Sequence, residues 1–486
     1  MGLKENASFL RFVTMGALGT RHAWKVLESK GHNIVELERY SSSNKIWATK
    51  IKRLRLPDLL CVNCGTRFEV RAKSKLEIKM SHAQSNPDRY WDSGLRDEDI
   101  VIFLLCRPDE EITTSRPINA FSVQSLRASQ SKAKLGPPKS ASEGAERDLQ
   151  WPSWVPNYAG TIEQAEEFLK VKYDIGRNYS YRLKGKLCYF PIGYKFSAED
   201  QIACGAPTKQ VDLKCRGKTW NINLDSSQIL PDLYAAIKAI DKDNFLSNYD
   251  MLKILLNNAD LRLKLEVAGI LFKYANDPIA LKILLSSTAI GNDENAQWSM
   301  ESVFIFSEIG SQTAIELLTK IAADSNHVEV RAAAVWNLGE LKSNIDNVIP
   351  SLSDKETNVK NHAIISLSKC INGPEETQKL LSLIKNQPSL QSAVCEALIL
   401  GKRTCINSVL DSLNSDSENV ARCCFIILCR SDFKQVHQTS SWEKTTHGSL
   451  KYIDWYWNWR EESIWSNDLN RQDLILLTKQ FGNIWH

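Results

Sequence analysis

The second half of this chain repeats itself. "HVEVRAAAVWNLGEL" at 327–341 aligns with "ETNVKNHAIISLSKC" at 356–370, so that Val330 matches Val359 and Ala334 matches Ala363, each 29 positions apart. "PSLQSAVCEALIL" (388–400) and "ENVARCCFIILC" (418–429) continue at about that interval, and "DLRLKLEVAGILF" (260–272) precedes them. Each segment carries apolar residues at helical spacing. A helix pair this short cannot enclose a core of its own, so it buries its apolar face only by stacking on the next pair. The pattern therefore predicts an all-α solenoid over 229–436.

The phrase "VEVRAAAVWNLGEL" resembles the helix of HEAT-like repeats, of the short phycobilisome-lyase type, and the likeness covers roughly 260–430. That resemblance implies a helical array that binds nucleic acid or a protein partner. It implies no reaction. Beyond it, residues 437–486 hold "KYIDWYWNWREESIW", with Trp455, Trp457, Trp459 and Trp465. Tryptophans at two-residue spacing suit a strand face or a cap on the solenoid, and the cap is preferred, since terminal repeats need a distinct outer face.

A chain of 486 residues has room for about three domains. Residues 1–122 alternate helix and strand signals: a helical pattern from Ala17 to Lys30 ending at Gly31, the strand "NIVELERY", a hairpin, and the apolar strand Ile100 to Cys106. This reads as an α/β core. Residues 123–150 are rich in Ser, Lys, Gly and Pro and read as a flexible linker. Residues 151–228 carry aromatic segments bounded by Gly and Pro, expected to be a small β-rich domain. There Tyr179, Tyr181, Arg182, Lys184 and Lys186 fall at strand spacing, which suits either base stacking or an ordinary aromatic core.

The chemistry is expected in the hairpin "RLRLPDLLCVNCGTRFEVRAKSK" (53–75). Alternate residues of a strand share a face, so Glu69, Arg71, Lys73 and Lys75 point one way and Phe68, Val70 and Ala72 the other. A turn centred on Asn63-Cys64 sets Asp58 opposite Glu69, whereas one centred on Cys64-Gly65 sets it opposite Arg71. In either register the two acids approach each other. Like charges on facing strands need compensation. A divalent cation supplies it by taking carboxylate oxygens together with water and phosphate, and the alternative is a solvated face neutralised by Arg71 and Lys73. Lys52, Arg53, Arg55, Arg67 and Lys75 surround the acids and are the candidate nucleic-acid contacts, or else a plain basic surface.

Pro57-Asp58, ten intervening residues and Glu69, set behind a helix and a strand, resemble the PD-(D/E)XK nuclease superfamily with its restriction-endonuclease-like core. The likeness covers roughly 9–108. It implies Asp58 and Glu69 as ligands of Mg²⁺ (or Mn²⁺), and phosphodiester hydrolysis, of DNA by preference because the family most often cuts DNA. In a bacterial or phage setting it implies antiviral defence or restriction. The family places Lys two residues after the second acid, where this chain has Arg71. Arginine stays protonated and cannot act as a base. Lys73 is therefore expected to take the lysine role, with Arg71 on the phosphate. The rival expectation is a non-catalytic HEAT-repeat adaptor that keeps a nuclease-like domain for binding.

Other signals are set aside. "CVNCG" (61–65) has the spacing of a zinc half-site. With no second such pair, a plain turn is preferred to a zinc site at Cys61 and Cys64, which Cys106, His82, Cys204 or Cys215 would have to complete. "CRGKTW" (215–220) lacks the first glycine of a phosphate-binding loop, since Asp212 stands there. The longest apolar run is far short of the roughly 20 residues that span a bilayer. No cleavable leader is recognised, and the 12 scattered cysteines read as reduced thiols. A cytoplasmic protein without a membrane partner is expected.

Overall fold

The computed structural model describes residues 7–37, 54–73, 78–83, 86–106, 118–138, 146–151, 153–183, 187–188, 190–198, 200–204, 209–288, 296–413 and 415–430. The chain forms two compact units, 1–267 and 268–486. The first is rich in sheet and the second is helical, a mixed α/β plus all-α layout.

The first unit begins with α1 (Ala7–Ser29). It closes in a Schellman motif: Gly31 N–H reaches Glu28 O at 2.9 Å and His32 N–H reaches Leu27 O at 3.1 Å. Gly31 takes φ 88°, open to glycine without strain. Next come β1 (Ile34–Glu36), β2 (Leu59–Cys61), β3 (Arg67–Lys73), β4 (Lys79–Ala83), β5 (Ile100–Leu105) and β6 (Ile118–Ser122). Five of these make a sheet in the order β1-β2-β3-β5-β6, antiparallel except for the parallel pair β3 and β5. All six residues of β5 are buried, because both faces of the sheet are covered. On one face Phe68, Val70, Ile100, Ile102 and Leu104 pack with Ala23 and Leu27 of α1. On the other Val101, Phe103, Leu105 and Phe121 join Trp91, Trp151 and Leu169.

The expected linker is structured. Residues 123–150 contain α2 (Val123–Ser129), β7 (Lys134–Pro138) and β8 (Glu146–Gln150). β8 pairs with both β4 and β7. Composition hid this, because few apolar residues do the anchoring: Val123, Leu126 and Leu149 are buried, and the strands are held by backbone hydrogen bonds that polar side chains do not disfavour.

Strands β9 (Ser153–Trp154), β10 (Gly160–Ala165), β11 (Phe168–Tyr173), β12 (Asn178–Arg182), β13 (Leu187–Cys188), β14 (Lys195–Phe196) and β15 (Ala203–Cys204) form two small sheets. Trp154 stacks on Tyr181 and Tyr179 at 5.0 and 5.7 Å between centroids, so these tyrosines pack within the unit. Lys184 and Lys186 lie outside the described residues. An extended segment, 209–224, then returns to the large sheet: Val211 N–H donates to Ala120 O (2.9 Å) and Cys215 N–H to Lys30 O (3.0 Å). Helices α3 (Leu230–Lys238) and α4 (Phe245–Leu255) follow, and the division at 267/268 falls within α5 (Leu261–Ala275).

The second unit holds α6 (Pro278–Thr288), α7 (Ala296–Ile309), α8 (Gln312–Asp324), α9 (Val328–Glu340), α10 (Thr357–Cys370), α11 (Pro374–Asn386), α12 (Gln391–Leu400), α13 (Ile406–Ser412) and α14 (Glu418–Arg430). Helices α7, α9, α10, α12 and α14 pack in succession. Ala334 and Ala363 are both fully buried, as the 29-residue alignment requires. Between α9 and α10 the second helix of the pair is replaced by a 3-10 turn at Ile349–Ser353. The Trp-rich segment expected to cap the array lies outside the described residues.

Candidate metal and phosphate site on the β2–β3 hairpin

Of the two registers open to the hairpin, the chain adopts Leu59↔Phe68 and Leu60↔Arg67, which continued by one residue sets Asp58 opposite Glu69. Pro57 explains why β2 stops there: it has no N–H to extend the ladder. The chain bends at Asp58, and the Asp58 carboxylate takes over, accepting the Val70 N–H at 2.8 Å. Asp58 is thus fixed against the strand that carries Glu69.

Glu69, Arg71 and Lys73 share the face of β3 that looks toward Val101, Phe103 and Leu105. The Arg71 guanidinium pairs with Glu69 at 2.9 Å, and Arg71 Nη2 also reaches Trp91 O at 3.5 Å. Arg71 Nε is buried with no hydrogen-bond acceptor among the described residues. Lys73 is half-buried at the end of the strand, where its carbonyl accepts the Cys106 N–H at 2.8 Å. Asp58 and Glu69 offer only oxygen donors, the kind that Mg²⁺ or Mn²⁺ takes in preference to a softer ion.

The candidate nucleic-acid contacts divide. Arg55 is exposed, with φ 58°, and packs its backbone where a side chain on Gly94 would collide. Lys52, Arg53 and Lys75 lie outside the described residues. Arg67 is placed differently from Arg55. It is buried, 7% exposed, and its Nε and Nη2 donate to Asp99 at 2.7 and 2.5 Å. The parallel β3–β5 register places Asp99 beside it, so two of the guanidinium donors are committed to a buried carboxylate.

A cleft of about 600 Å³ in the first unit is lined by His32, Cys64, Arg67 and Asp99, and by none of Asp58, Glu69, Arg71 or Lys73. It lies beyond the β2–β3 turn. There burial pushes the Cys64 thiol up, but hydrogen bonds with Thr66, and after it with Cys61 and Cys215, outweigh burial and bring it to about 7. Sequence reasoning missed His32 and Asp99. His32 had a local signal only as the residue after the Gly31 cap, and Asp99 had none.

Residues 315–399 match the family model of HEAT repeats. Comparison with curated proteins gives no match to the chain. Among the described residues no helix is long and apolar enough to cross a membrane.

Proposed function

We propose that the first unit is a metal-dependent nuclease domain of the PD-(D/E)XK type, acting on a phosphodiester backbone, with DNA the preferred substrate. The observation that carries this reading is the antiparallel register that sets Asp58 opposite Glu69, on a sheet where β3 continues parallel to β5 and α1 covers the far face. Asp58 and Glu69 would hold Mg²⁺ or Mn²⁺. A cation bound there supplies charge neutralisation at phosphorus and acidifies an attached water. Arg71, now paired with Glu69, turns its planar fork to the non-bridging phosphate oxygens. Lys73, two residues along the same face, orients the attacking water and stabilises charge as it develops. The HEAT repeats serve as the docking surface for a protein partner or for the nucleic acid itself, in keeping with the protein interactions such repeats commonly mediate. Restriction or antiviral defence is the setting such a pairing suits, in the cytoplasm.

A second reading has its own observation. Arg71 stands where the family has lysine and already neutralises Glu69, as a binding domain without catalysis would need. Incubating the full-length protein with supercoiled plasmid and with RNA, in Mg²⁺ and in Mn²⁺, separates the two. Conversion to nicked or linear product by the wild type, abolished in Asp58→Asn, is the expected result. Retention of the nucleic acid with no cut under either ion would establish the adaptor reading instead.

A further inference from the structure

The turn "CVNCG" presents two thiols three positions apart, and the fold brings two more ligand-type side chains to it from distant parts of the chain. Sγ of Cys61, Cys64 and Cys215 and a ring nitrogen of His32 all lie within 4.8 Å of one another. We propose that these four residues form a closed, structural zinc site.

The spacings are those of a tetrahedron around one ion. With Zn–S of about 2.3 Å and Zn–N of about 2.0–2.1 Å, ligand atoms sit about 3.8 Å apart for two sulfurs and about 3.5 Å for sulfur and nitrogen. Cys61 Sγ lies 3.9 Å from Cys215 Sγ, and Cys64 Sγ lies 3.7 Å from His32 Nδ1. A disulfide would need about 2.05 Å, and all three cysteines are free thiols. The imidazole is oriented as a ligand: His32 Nε2 lies 2.9 Å from Leu213 O, so the proton sits on Nε2 and the Nδ1 lone pair faces the sulfurs. A nucleophilic Cys64–His32 pair would have no use for Cys61 and Cys215 in the same space.

Each ligand is placed by backbone hydrogen bonds of its own segment. The Schellman motif after α1 aims His32, and the four-residue loop between Cys61 and Thr66 sets Cys61 and Cys64. Along 211–215 Val211, Leu213 and Cys215 turn inward while Asp212 and Lys214 are exposed. Gly65, at φ 71°, closes the turn where a Cβ would meet the Trp220 ring at 3.0 Å. Four protein ligands leave no open position, so the ion is structural. It pins the segment that returns from the small β-sheets to α1 and the hairpin, closing a loop of more than 150 residues between Cys61 and Cys215. This inference is independent of the nuclease proposal.

The test uses the full-length protein under reducing conditions. Elemental analysis should find one zinc per chain. Replacement by Co²⁺ should give the intense visible bands of a tetrahedral site together with thiolate charge-transfer absorption. Chelation should lower the melting temperature, and Zn²⁺ but not Mg²⁺ should restore it. Cys215→Ser and His32→Gln should each lose roughly tenfold or more in zinc affinity against a chromophoric chelator, while Cys106→Ser, a buried thiol outside the cluster, should bind as the wild type does. Should Cys215→Ser not fold, the wild-type Co²⁺ spectrum still decides. A wild type that neither retains zinc nor develops tetrahedral Co²⁺ bands on loading overturns the proposal, as does a Cys215→Ser spectrum identical to that of the wild type.

Discussion

Replacing Asp99 with Asn asks whether Arg67 is a structural cation or a nucleic-acid contact. The pair is buried on both sides, with side-chain exposures of 7% and 2%. It is bidentate, and Asp99 Oδ2 also accepts the Arg96 N–H at 2.7 Å. The amide keeps the shape and an acceptor for Arg96 but leaves the guanidinium uncompensated, which costs about 3–5 kcal/mol for a buried pair. For a unit of this size that corresponds to a fall of roughly 6–20 °C in melting temperature. Arg67→Met should cost a similar amount by stranding Asp99, whereas the double variant Arg67→Met with Asp99→Leu should recover much of the loss, because two apolar groups carry no desolvation penalty. Urea unfolding followed by circular dichroism measures all three. An Asp99→Asn midpoint within about 1 kcal/mol of wild type, or a double variant as unstable as the sum of the singles, would refute the assignment and return Arg67 to the candidate phosphate contacts.

In the helical unit, a Cβ at Gly339 would lie 2.6 Å from Ser366 Cα. Gly339→Leu should therefore push α9 and α10 apart, and Ala334→Phe should overpack the same layer, each costing about 1–3 kcal/mol in thermal unfolding. An unchanged melting temperature would contradict the packing of those helices. Burial pushes the His362 pKa below its usual value, against a smaller upward pull from the Asn358 carbonyl. The unfolded state then takes up the proton first, so His362 costs stability as pH falls through about 6.5. His362→Gln should flatten that part of the acid stability profile, and an unaltered slope between pH 5 and about 6.5 would count against it.

Features that depend on near neighbours were legible in the sequence. Gly31 announced the end of α1 because only a left-handed residue closes that motif without strain. The 29-residue spacing placed Ala334 and Ala363 in equivalent buried positions because stacking repeats must bury the same face. The β2–β3 pairing was narrowed to two registers because a short loop allows few others. What escaped depends on contacts between distant segments. The Arg67–Asp99 pair joins residues 32 apart across a parallel pairing that no turn specifies. The thiol and imidazole cluster needs a segment 154 positions beyond Cys61. Residues 123–150 looked unstructured because their strands are anchored by a few apolar side chains in a polar background.

The central claim is that the face of β3 carrying Glu69, Arg71 and Lys73 performs phosphodiester chemistry with Asp58. Single-turnover cleavage of a labelled duplex by the full-length protein, with binding followed in the same samples, tests it most directly. Glu69→Gln and Lys73→Ala should each lower the cleavage rate by about 10²-fold or more, while affinity at moderate salt changes only a few-fold, because one cation is one phosphate contact among several. Cleavage that persists unchanged in both variants, or a loss of cleavage matched by an equal loss of binding, would contradict the account.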